Sequence, residues 1–151
     1  MKVEHARRLD EQDHRSLALW AADCAERVLP YFEENYPEDD RPRKALEAGR
    51  AWARGEIACG AARAAAVAAH TAARAADEGA ARASARAAGH AAATAHMAGH
   101  ARHAAAYAVK AATAAGTASA TERYWQCRRL PEHLRPATLP PAGHTGPCCS
   151  R

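Results

Sequence analysis

Four histidines, His90, His96, His100 and His103, stand in a proline-free stretch from Ala80 to Gly116 that is about half alanine. Imidazole can move protons, bind metal, or hydrogen-bond an anion or carbonyl, so these four are the first candidates for chemistry. On one continuous helix His96, His100, His103 and Tyr107 fall within roughly 60° of one another, while His90 points about 100° away with Met97. Histidines at i, i+4 can place two nitrogens on one metal, which makes His96, His100 and His103 the metal-ligand candidates. A divalent ion there would need further ligands from another helix, with Asp23, Asp39, Asp40 or Glu56 as donors. The plainer reading takes no cofactor: the histidines form a polar seam between helices or face water. If instead His90, His96 and His100 face Asp23, Asp39, Asp40 and Glu56 across an interhelical cavity, the pairing suits acid–base work. That describes a small helical enzyme or ligand binder of a specialised biosynthetic pathway. Cys24 and Cys59 lie in or next to helices and read as core thiols rather than nucleophiles. The chain has no GxSxG, HExxH, GxGxxG or GxxxxGK[ST] pattern, so zincin, dinucleotide and phosphate-loop chemistry lack support.

The elements that would position these residues are helical. Alanine loses no side-chain entropy in a helix, so Ala80–Gly116 reads as one long helix or a tandem pair, with a kink allowed at Gly99. Ahead of it, Asp13 is placed to cap a helix through Leu29, with Leu17, Trp20, Cys24 and Val28 on one face. Pro30 opens a short helix to Tyr36, and Asp40 with Pro42 starts another that runs to about Ile57. Glu56 falls on the inner face of that helix and needs either a fraying end or an arginine partner. Ala61–Ala76 is an alanine helix with Arg63, His70 and Arg74 on one face. Thr121 is placed to cap a last helix, Glu122–Leu130. The expectation is an all-α, single-domain bundle of about five to six helices over residues 13–136. Residues 1–12 read as a frayed lead-in, and residues 137–151, rich in Pro and Gly, as a mobile tail.

Between Ala61 and Ala120 the large apolar residues are Val67, Met97, Tyr107 and Val109, so that region cannot supply its own core. Bulky side chains at Leu17, Leu19, Trp20, Val28, Leu29, Phe32, Leu46, Trp52, Ile57, Trp125 and Leu130 should cover it. An alanine seam could also close against a second copy, which leaves a homodimer open. Charge is divided as well. Residues 1–60 hold 10 Lys/Arg against 13 Asp/Glu, and residues 61–151 hold 11 against 4. The basic residues are spaced arginines on helices without interleaved aromatics, which argues for solvated faces and against a nucleic-acid partner. No leader and no long uncharged apolar run stands in the sequence, so neither a signal peptide nor a membrane span is expected. Five cysteines without CxxC spacing fit a cytoplasmic protein with reduced thiols, Cys148 and Cys149 falling in the tail.

Several segments in fixed order carry a family resemblance. These are WAADCAERVLPYFEENYPEDDRPRKALEAGRAWARGEI at residues 20–57, AAH at 68–70, RAAGHAAATAHMAGHARHAAAYAVKA at 86–111, ERYWQ at 122–126 and RLPEHLRP at 129–136. Together they resemble the immunity proteins of bacterial polymorphic toxin systems, over about residues 14–136. The resemblance implies an all-α cytosolic bacterial protein that binds a cognate toxin domain and blocks its active site. The positions that match best are Asp23, Asp39, Asp40, Arg41, Pro42, Arg54, Glu56, His70, His90, His96 and His100. Arg41, Arg54 and His70, with Tyr107 from the histidine face, are candidate binding residues, and no catalytic motif carries over.

Overall fold

The computed structural model describes residues 9–138. The expectations for the first eight residues, for the chain beyond residue 138 and for Cys148 and Cys149 lie outside these. Among the described residues every regular element is a helix. In order they are α1 (Glu11–Val28), α2 (Pro30–Glu33), α3 (Arg41–Ala53), α4 (Cys59–Ala75), α5 (Ala80–Ala93), α6 (His100–Ala114) and α7 (Ser119–Arg129), then a 3-10 turn (Glu132–Leu134) and α8 (Arg135–Thr138).

The alanine stretch divides at residues 94–99, so it is a pair of helices folded back on each other rather than one rod. Thr94 marks the end of α5, its hydroxyl donating to the His90 carbonyl at 3.0 Å. Helix α5 sits at the centre of the bundle, packed against α1, α2, α3, α4 and α6. From Ala81 to Ala93 its side chains are buried except Arg82, Arg86 and His90, an i, i+4, i+8 stripe that marks its one open edge.

Large side chains from the flanks close over the alanine wall: Leu17, Trp20, Val28, Leu29, Phe32, Leu46, Leu130 and Leu134 are buried against it. Leu19 faces out instead, as do Val67 and Met97. Burying each large side chain is worth about 1.5–3 kcal/mol, while alanine gains mostly by letting backbones approach and make dispersion contacts. The approach is closest where α3 crosses α5: a Cβ on Gly49 would stand 3.3 Å from the Ala91 carbonyl oxygen. Polar ties cross the bundle as well. Trp20 Nε1 donates to the Gln126 carbonyl at 2.8 Å, and Gln126 Nε2 donates to the Ala105 carbonyl at 2.9 Å, joining α1, α6 and α7.

Several boundaries differ from the expectation, each for a local reason. Asp10, not Asp13, caps α1 by accepting the Asp13 N–H at 2.7 Å. That leaves the buried Asp13 carboxylate for His133 Nε2 at 2.8 Å, which ties the C-terminal turn to α1. Helix α3 stops at Ala53 because the chain reverses at Gly55, where the Glu56 N–H closes on the Ala51 carbonyl. Helix α4 begins at Cys59, two residues early, and α7 at Ser119.

Candidate functional site

The open edge of α5 runs between α4 and α6, and the histidines gather along it. From α4, His70 lays its ring on the α5 backbone at Gly89, where an added Cβ would meet ring atoms at 2.7 Å. Only glycine leaves that space. Arg86, one turn earlier on α5, donates from Nη1 to His70 Nδ1 at 3.0 Å. Arginine has no lone pair to offer, so His70 Nδ1 is the acceptor and the ring is neutral with its proton on Nε2.

His90 is the hub. Its ring lies 4.9 Å from His70 edge-on, 5.2 Å from His100, 5.3 Å from His103 and 5.2 Å from Tyr107, with which it is stacked at 10°. His90 Nδ1 and His100 Nδ1 stand 3.0 Å apart, a hydrogen bond in which one nitrogen donates and the other must be bare. Two imidazolium ions could not make it. His96, in the turn between the helices, and His103 complete the group at 6.4 and 6.1 Å from His100. Electrostatics agree with the geometry. Burial first, then the neighbouring cations Arg86 and Arg74, pushes His70 down to about 4. Burial, then His70, His100 and His103, pushes His90 down to about 3, and burial likewise lowers His100.

The helical hairpin therefore corrects the single-face reading. On a continuous rod His90 points away from His96, His100 and His103; folded back, it becomes the residue around which the others meet. Among the described residues no three His, Cys, Asp or Glu side chains are placed to hold one metal ion, the stripe His96, His100 and His103 included.

The candidate carboxylates lie elsewhere. Asp23 accepts from Arg50 Nη2 at 2.8 Å, and the same guanidinium reaches Glu26 at 2.8 Å. Asp39 takes a two-pronged bond from Arg41, and Glu56 one from Arg54, each guanidinium holding its carboxyl below the usual range. Asp40 pairs with Lys44 at 3.0 Å. Asp39, Asp40 and Arg41 line a shallow open depression with Asn35–Glu38 at the turn from α2 to α3. Among the described residues no hydrogen bond or ion pair joins Asp23, Asp39, Asp40 or Glu56 to a histidine of the seam, so an acid–base pocket of that composition is not assembled. Glu56 finds its arginine partner beyond the helix end rather than on an inner face. Burial pushes the Cys24 thiol well above its ordinary range, leaving it a core thiol.

Three contributors escaped sequence reasoning. Arg86 and Gly89 orient His70, and the one available signal was their spacing of four and one from His90. His14 bonds the Thr94 carbonyl and packs on Trp52 at 4.6 Å, securing the turn below the seam; nothing in its spacing marks it.

Residues 7–133 match the model of the Imm-5 like putative immunity protein family. The chain belongs to that family. The match takes in the seam and α1 to α7 alike. No curated protein and no solved structure matches the chain. No described helix of this immunity-family protein is long and apolar enough to cross a membrane.

Proposed function

We propose that the protein is a stoichiometric inhibitor that binds a cognate bacterial toxin in the cytoplasm and blocks it. The observation that carries this reading is membership of an immunity-protein family over residues 7–133. The build of the molecule suits the role. The candidate carboxylates are engaged by basic side chains and the histidines by one another or by Arg86, which gives a pre-formed surface that need order little on binding.

The test is co-expression with the toxin domain encoded beside this gene. Growth should be rescued, and the two purified proteins should form a 1:1 complex by calorimetry. A toxin that stays lethal and binds nothing overturns the proposal.

A further inference from the structure

The layer made by α4, α5 and α6 has an unusual charge inventory. Between Ile57 and Thr121 the chain carries Arg63, Arg74, Arg82, Arg86, Arg102 and Lys110 but only two carboxylates, Asp77 and Glu78, both in the turn before α5. Glu78 is taken by Arg82 at 3.2 Å. Arg86 spends a donor on His70, Arg74 bonds the Thr71 hydroxyl, and Lys110 sits 5.9 Å from the Tyr107 ring centre. Apart from Arg82, none of these cations has a carboxylate partner among the described residues, and the group around His90 brings together five histidines. The acidic half does the opposite, closing Asp23, Glu26, Glu33, Asp39, Asp40 and Glu56 with its own basic residues.

We propose that the α4–α6 face around His90 is where an acidic surface of the cognate toxin docks, and that the His90–His100 pair takes up a proton on docking. The inference rests on the toxin-binding reading. A cationic face whose charges lack local partners is complementary to carboxylates, which supplies steering and register. The atom that accepts a proton is the bare Nε2 of whichever ring of the His90–His100 pair donates from Nδ1, which leaves that contact intact; His70 Nδ1 is taken by Arg86. The groups facing this pair are Arg74 and His70 from α4, Arg86 from α5, His96 from the turn, and His103, Tyr107 and Lys110 from α6. All are cationic, neutral or phenolic, so in the free protein a proton here meets only repulsion. A partner carboxylate reverses that sign and gives the new Nε2–H an acceptor.

Calorimetry with the toxin domain encoded beside the gene tests this at pH 7.5 and 6.0, in buffers of different ionisation enthalpy. The variants are the Arg74→Gln/Arg86→Gln/Lys110→Gln triple, the His90→Gln/His100→Gln double, and Lys44→Gln on the acidic half as a control. Thermal melts of the free proteins check folding. The proposal expects net proton uptake, and roughly tenfold tighter binding per pH unit for each proton taken up. It expects the triple variant to bind at least tenfold more weakly, the double variant to lose the pH dependence, and Lys44→Gln to bind unchanged. A complex equally tight in the triple variant and indifferent to pH overturns the docking face and leaves the toxin reading standing. Failure of every protein, wild type included, to bind removes both. Tighter binding of a 20-bp DNA duplex than of the toxin, lost in the triple variant, overturns the acidic-protein partner in favour of nucleic acid.

Discussion

The two halves of the bundle reach stability by opposite routes. Helices α1–α3 carry bulky apolar side chains inward and arginine–carboxylate pairs outward. Helices α4–α6 carry alanine inward and cations with imidazoles outward. The first half fills space and neutralises its charges. The second lets backbones touch and leaves its charges for something else. Side-chain volume and charge pairing are thus separated in one small domain, and the open edge of α5 lies wholly on the alanine side.

The sharpest way to break this comparison is to exchange the defects. Truncation should hurt the bulky half most: Phe32, 1% exposed, is buried in the core that the alanine helices share, and Phe32→Ala should lose about 3–5 kcal/mol in urea unfolding. Enlargement should hurt the alanine half. Ala88 is fully buried in the central helix, and Ala88→Leu should lose about 1–3 kcal/mol through overpacking although leucine is a good helix former. If Ala88→Leu were neutral or stabilising, the close-packed alanine wall would be wrong.

A second way removes the buried ion pair that ties α7 to α1. Glu122, 2% exposed at the start of α7, accepts from Arg27 Nε at 3.0 Å, while its Oε1 has no partner among the described residues. The Arg27 guanidinium lies 4.5 Å over Trp125. Arg27→Ala strands a buried carboxylate, and thermal unfolding should report a loss of about 2–3 kcal/mol, less than for a fully enclosed pair because Arg27 itself meets water. The exposed pair Arg54–Glu56 offers the contrast: Arg54→Ala should barely move the melting temperature.

These contrasts show what the sequence could and could not carry. Helix content followed from alanine and from proline placement, and the division of labour followed from where the bulky residues stand. The hairpin did not. Alanine presents the same small apolar surface on every side, so periodicity cannot tell a rod from two antiparallel helices, and the break at 94–99 rests on tertiary packing. The candidate site inherited that blindness. His70, His90, His96 and His100 were all legible as candidates, but His90 was turned the wrong way until the chain folded back on itself. Pairing across helices was equally hidden: Asp23 meets Arg50 rather than a histidine because α1 crosses α3 there.

A further expected effect separates the halves by pH alone. His70 and His90 are held at about 4 and about 3 in the folded protein, below the ordinary 6.5 that they regain on unfolding. Between those limits the unfolded chain binds more protons, so stability must fall as pH is lowered from 7 to 5. Both rings keep some contact with water, so the loss should be about 1–2 kcal/mol rather than the full conversion of the shifts. The paired carboxylates behave differently. Glu26, Glu33 and Asp39 are held below their ordinary values by arginine, so their contribution is present at pH 5 and disappears only as pH falls through the lowered values. Denaturant midpoints from pH 7 to pH 3 should therefore show two limbs. The His70→Gln/His90→Gln variant should flatten the upper limb and keep the lower one, whereas Arg50→Gln should keep the upper limb and remove only the share of the lower one that Glu26 supplies. A wild-type profile flat from pH 7 to 5 would mean that the imidazoles are not held neutral by their neighbours, and the hub around His90 would lose its physical basis.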